Sequence, residues 1–116
     1  MRYTFQLAIA VVMCGGCTMR STNEVREVLP SPDGTQKLVV FCRDAGATTG
    51  VNTQLSILRT DERLPNDGGN ALIIDRGEAK AAWKKGGGIL VTLDRTCRVF
   101  KRETFVRGTT IEYQLR

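Results

Sequence analysis

Apolar and polar positions alternate in short runs along most of this chain, and the runs are broken by turn residues. EVREVLP (24–30) alternates and stops at Pro30. SPDG (31–34) follows, a turn in which Pro32 presets φ, Asp33 can bond nearby backbone and Gly34 accepts positive φ. TQKLVVFCR (35–43) is apolar on both faces toward its end, which predicts a central strand covered on both sides. NTQLSILRT (52–60) places Leu55 and Ile57 on one face. DERLPNDGGN (61–70) is dense in turn residues and reads as a loop. ALIID (71–75) is a short strand.

The stretch EAKAAWKK (78–85) has helix-forming composition. KKGGG and then ILVTLD (89–94) make it one arm of a hairpin instead, with 79–84 a strand and Trp83 turned inward. CRVFKRE (97–103) and TIEYQL (110–115) close the chain, joined through TFVRGT with Gly108 at the turn. Seven or eight short strands, tight turns and no long helical pattern predict an all-β domain, a small antiparallel β-sandwich or partly open barrel.

The first residues follow a different pattern. Arg2 precedes an unbroken apolar run, Leu7 to Met13, and then Gly15, Gly16 and Cys17. A charged start, a short apolar core and a small-residue exit form an export signal, far shorter than the roughly 20 residues that cross a bilayer. The pattern resembles a bacterial lipoprotein signal. That resemblance implies cleavage before Cys17 and a diacylglyceryl group on its thiol. The organisation expected is then a signal at 1–16, a small polar tether at 17–23 and one β domain at 24–116. Thr18 stands where an Asp would retain such a protein in the inner membrane, which favours the outer membrane in a Gram-negative host and a place on the periplasmic face of the cell envelope. The rival reading takes Cys14 and Cys17 as a metal or redox CxxC pair. A structural zinc site wants four ligands, usually two such pairs or added histidines, and the chain has no histidine and no second CxxC. It carries no recognisable metal or cofactor motif elsewhere.

Export changes the meaning of the two remaining cysteines. In an oxidising compartment Cys42 and Cys97 most simply form one disulfide, and two separate buried thiols are the alternative. Charge is uneven: residues 17–75 hold 6 bases against 8 acids, and residues 76–116 hold 10 bases against 4 acids. A basic half on a membrane-tethered domain suits an anionic envelope surface, or simply a solvated face. Nucleic acid does not suit an exported chain whose bases are not interleaved with aromatic platforms.

Residues 39–58, VVFCRDAGATTGVNTQLSIL, resemble a family of small bacterial proteins without an assigned activity, marked by the RDAGATTG core. The SPDG turn, the AAWKKGGGILVTL hairpin and the TIEYQ strand extend the resemblance over about residues 29–115. It implies an exported or lipid-anchored β domain and no particular reaction. Within the core, Arg43, Asp44, Gly46, Thr48, Thr49 and Gly50 form the candidate binding loop, where glycine amides and hydroxyls could hold a ligand. Equally, the glycines can supply turn geometry while Asp44 and the threonines bond the loop to itself. The function expected is a lipid-anchored envelope protein with a binding or structural β domain, contacting the membrane through its anchor and an anionic surface or protein partner. The alternative is a small hydrolase or transferase using Asp44 and the loop threonines, without a histidine or nearby lysine to complete the set.

Overall fold

The structure is a computed structural model that describes residues 22–44 and 51–116. The signal at 1–16, Cys17 and most of the tether lie outside the described residues. The described residues form nine strands: β1 (Asn23–Pro30), β2 (Gln36–Asp44), β3 (Val51–Arg59), β4 (Leu72–Asp75), β5 (Ala79–Trp83), β6 (Ile89–Leu93), β7 (Arg98–Arg102), β8 (Phe105–Val106) and β9 (Thr109–Leu115). They make a five-stranded sheet in the order β1-β2-β3-β4-β7 and a four-stranded sheet in the order β5-β6-β9-β8.

The two sheets face each other across one core. Alternate residues of β2, β3 and β4 (Leu38 and Val40, Leu55 and Ile57, Leu72 and Ile74) meet Ile89, Val91 and Leu93 of β6 and Ile111 of β9. Each of these aliphatic side chains stabilises the fold by roughly 1.5–3 kcal/mol when fully buried. The period-2 pattern of the sequence is therefore the inward face of a sandwich. Trp83 closes one open side. Half-buried at the end of β5, it donates its indole N–H to the Leu29 carbonyl of β1 at 2.7 Å and so ties the edge of one sheet to the edge of the other.

The second face of β2 is covered as its sequence predicts, but by a loop. Val39 and Phe41 point away from the main core and pack with Leu58 and Leu64. Residues 61–70 fold back over this outer face. Their polar groups meet the strand side chains there: the Gly69 amide donates to Gln54 Oε1 at 2.7 Å and the Asn70 amide to Ser56 Oγ at 3.0 Å. That coverage explains why Gln54 and Ser56 are buried. Asn70 also continues the sheet. β4 begins at Leu72, so past Leu55 the edge of β3 has no strand beside it. The Asn70 side chain accepts from the Ile57 amide and donates to the Ile57 carbonyl, both at 2.9 Å, as a paired strand residue would.

Two expectations need correction. The sandwich is not wholly antiparallel: β6 and β9 run parallel, Ile89 opposite Ile111 through Leu93 opposite Leu115. A parallel pair needs a crossover of a dozen or more residues. Residues 94–108 supply it, passing through β7 on the facing sheet and the hairpin arm β8. The TFVRGT segment, read as a connection, contributes β8 itself. Arg107 and Gly108, at φ +52° and +84°, form the two-residue turn into β9, the geometry of a type I′ hairpin.

Candidate functional site

β1 runs from one end of the sandwich to the other, and its register with β2 orders both ends. Asn23 opposes Arg43 at the first end, and Pro30 opposes Lys37 near the second. Arg43 and Asp44 at the end of β2, Val51 at the start of β3, the 76–78 and 94–97 connections and the start of the domain share the first end. The SPDG turn, the β5–β6 turn and the β8–β9 turn share the second.

At the first end the candidate loop is described only in part. Gly46, Thr48, Thr49 and Gly50 lie outside the described residues. Arg43 and Asp44 close β2, and Asp44 opposes Val51 in the ladder. Arg43 is engaged within the fold: its Nη1 donates to Asn23 Oδ1 at 2.8 Å and to Asn66 Oδ1 at 3.0 Å. Asn23 in turn donates to the Pro65 and Asp67 carbonyls at 2.9 and 3.1 Å. These bonds fasten β1, β2 and the covering loop together. Arg43 is thus a clamp for the 61–70 segment.

The disulfide expected between Cys42 and Cys97 is not made; both are free thiols. β3 and β4 stand between β2 and β7, and three strand spacings of about 4.8 Å separate the two positions by roughly 14 Å. A disulfide needs Cα atoms within about 7 Å. Cys42 Sγ instead accepts from Arg26 Nε at 3.3 Å. Cys97 sits beside Gly77 and donates its S–H to the Glu78 carbonyl at 3.5 Å, and burial pushes its thiol pKa up.

The basic C-terminal half does not make one face. Its strands divide between both sheets, and four of its bases have acid partners: Lys84 with Glu112 at 2.5 Å, Arg98 with Asp75 at 2.6 Å, Arg107 with Glu62 at 2.8 Å and Arg116 with Glu78 at 3.6 Å. Arg98 and Arg102 also lie over the rings of Phe100 and Tyr113.

The second end holds a groove that sequence reading missed. Its volume is about 580 Å³, and it is lined by the SPDG turn, by Trp83 through Gly88, by Gln36 and by Gly108 to Thr110. That volume falls in the range of small-ligand sites, roughly 300–1,000 Å³. Each wall is a turn with a legible cause. Asp33 Oδ1 collects the Ser31 hydroxyl at 2.7 Å, the Thr35 amide at 3.0 Å and the Thr35 hydroxyl at 2.8 Å. Those bonds, the Ser31 hydroxyl first, hold the Asp33 carboxyl below its ordinary range and keep it ionised. In the β5–β6 turn the Gly87 amide donates to the Lys84 carbonyl at 3.0 Å, and the Lys84 amide to the Gly88 carbonyl at 2.9 Å. Gln36 joins the walls at the floor, donating to the Arg107 carbonyl at 3.2 Å and accepting from Thr109 Oγ1 at 2.7 Å. Neither this groove nor the shallower one beside Tyr113 is lined by Arg43 or Asp44.

Chemically the groove offers an ionised carboxylate, two ammonium groups, hydroxyls and one large aromatic side chain. Such a set can bind a polar ligand. Among the described residues no cluster of three or more His, Cys, Asp or Glu side chains is placed to hold a metal ion. No protein-family model, no curated protein and no solved structure matches this chain.

Proposed function

We propose that this chain is a lipid-anchored cell-envelope protein whose β domain binds a ligand in the groove and catalyses no reaction. Cys17 carries the lipid, and the export signal before it is removed. The observation that carries the reading is where the groove lies relative to the anchor. β1 starts at Asn23, six residues after Cys17, and ends at Pro30, next to the groove. Six residues of tether reach at most about 20 Å. The eight residues of β1, at roughly 3.3 Å each, then set the groove about 25 Å further from the anchored end. A groove held at that end faces away from the bilayer, toward whatever occupies the compartment.

Binding is favoured over catalysis by where polar groups gather. Arg43 is committed to Asn23 and Asn66, and among the described residues the polar groups that line a groove do so at the opposite end of the molecule. Intact mass spectrometry of the protein isolated from membranes of its own host tests the anchor. The expected species begins at Cys17 and carries an added diacylglyceryl mass. A soluble species that retains unmodified Cys14 and Cys17 would overturn the reading.

A further inference from the structure

We propose that the groove binds a neutral sugar ring, one unit of an oligosaccharide, with Trp83 as its apolar wall; this rests on reading the groove as the binding site of the domain.

Charge selects among ligands first. The groove is lined by three charged side chains, Asp33, Lys84 and Lys85. Lys84 is neutralised by Glu112 at 2.5 Å. That leaves one ionised carboxylate and one ammonium group, which balance. A multiply charged anion gains little from such a site, because the Asp33 carboxylate opposes what Lys85 attracts. A ligand that offers both donors and acceptors without net charge gains from both. Ser31 and Thr35 bond only Oδ1 of Asp33, so Oδ2 can accept from a ligand hydroxyl. Lys85 donates, and the Thr110 hydroxyl can do either. Trp83 adds an apolar body whose N–H is already satisfied by Leu29. A sugar ring carries that combination of hydroxyl edge and C–H face.

Gly86 points the same way. It does not adopt the positive φ that favours glycine, and a Cβ built on it would meet nothing within 4 Å. Neither backbone conformation nor packing calls for glycine there. Close approach of a ligand to the backbone does.

The chain has one tryptophan, so its emission reports on the groove. The experiment titrates the full mature protein, purified in a sugar-free amine-oxide detergent, with neutral trisaccharides of glucose, N-acetylglucosamine, mannose and galactose, and separately with pyrophosphate. The expected result is a saturable emission change with at least one trisaccharide. Gly86→Leu should weaken it by about tenfold or more while the melting temperature does not fall. Asp33→Asn should weaken it as well, since the amide keeps the Oδ1 acceptor of the turn and replaces the ligand-side acceptor with a donor. A response to pyrophosphate alone overturns the sugar and leaves a binding groove. A response to none of the titrants overturns both the sugar and the groove's role in binding, whatever the intact mass says of the anchor. A sugar response that neither substitution alters places the sugar elsewhere and overturns the inference.

Discussion

The two ends of the sandwich are built from the same kind of segment, short connections rich in glycine and hydroxyl residues, yet they are filled differently. At the end where β1 begins, Gly77 is packed tight: a Cβ there would lie 2.7 Å from Cys97 Sγ, 3.1 Å from Thr96 Oγ1 and 3.2 Å from the Asp94 Cβ. Arg43 and Asn23 bind three segments together at the same end. At the groove end a Cβ on Gly34, Gly86, Gly87 or Gly108 would meet nothing within 4 Å, and only Gly88, 3.2 Å from the Thr110 carbonyl oxygen, is crowded. One end closes the fold, and the other leaves polar groups and space at its surface. A glycine-rich stretch is therefore not by itself a sign of a site. What separates the two is whether neighbouring atoms already occupy the space a side chain would take.

The sharpest way to break this comparison is to put the same methyl group at each end. Gly77→Ala forces an L-residue to φ +71°, at about 1–2 kcal/mol, and crowds the Cys97 sulfur, at about 1–3 kcal/mol more. A total loss of about 2–5 kcal/mol is expected, seen as a fall in melting temperature of roughly 10 °C or more for a domain of this size. Adding Cys97→Ala should recover part of it, because the two positions are in contact and their effects couple. Gly86→Ala, in the same thermal melts, should be neutral or stabilising by up to about 1 kcal/mol, since it only restricts the unfolded chain. Equal losses at both positions would erase the distinction between a filled end and an open one.

A smaller loss is expected between the ends, where the 61–70 loop lies on the sheet. Asn70→Ala strips the Ile57 amide of its partner and leaves the Ile57 carbonyl with Arg107 Nη1 at 3.4 Å. Leaving the backbone amide unpaired costs about 1–3 kcal/mol. Amide hydrogen exchange should show the loss locally, as faster exchange at Ile57 with little change at Val91 in the facing sheet. Uniform acceleration over both sheets would mean that Asn70 does not act as the continuation of β4.

Most of this architecture is written in the alternation of the chain. Eight of the strands fall within a residue or two of where the pattern sets them; β2, β3, β4, β6 and β9 do so because each presents one face to the core, while β1 and β7 are largely exposed. The exceptions have physical reasons. β8 is two residues long, too short for any period to show. The parallel pairing of β6 with β9 depends on where residues 94–108 travel, and strand direction leaves no mark on a period of two. The two-sided apolarity of Leu38 to Phe41 is plain, but nothing local says that a loop carrying Leu64 covers the second face. The groove was legible only in pieces. SPDG, KKGGG and RGT each read as turns, and only the sheet order brings the three together. Cys42 and Cys97 misled for the same reason: export argues that two cysteines should pair, while the sheet order sets two strands between them.

The least disruptive comparison uses a device the two ends share. Asp33 and Asp94 each accept the amide and the hydroxyl of the threonine two residues on, at 3.0 and 2.8 Å for Thr35 and 2.9 and 2.9 Å for Thr96. Both carboxyls are held below their ordinary value of 3.8, Asp33 chiefly by the Ser31 hydroxyl and Asp94 chiefly by the Thr96 amide. A lowered folded-state pKa means that the unfolded chain binds the proton first. The stabilisation is therefore complete at neutral pH and is lost as pH falls below the ordinary value and through the lowered one. Melting temperatures recorded from about pH 7 down to about pH 2.5 should hold level and then drop in that acid window. Asp33→Asn and Asp94→Asn should each flatten the drop, because asparagine keeps an acceptor for the turn and cannot be protonated there. Asp33→Asn should flatten it more, since Ser31 adds a third bond at the groove end that Asp94 lacks among the bonds to Thr96. Equal flattening would assign the acid response to the two-bond turn shared by both ends, and would leave the open space around Gly86, not the chemistry of the turns, as what distinguishes the groove.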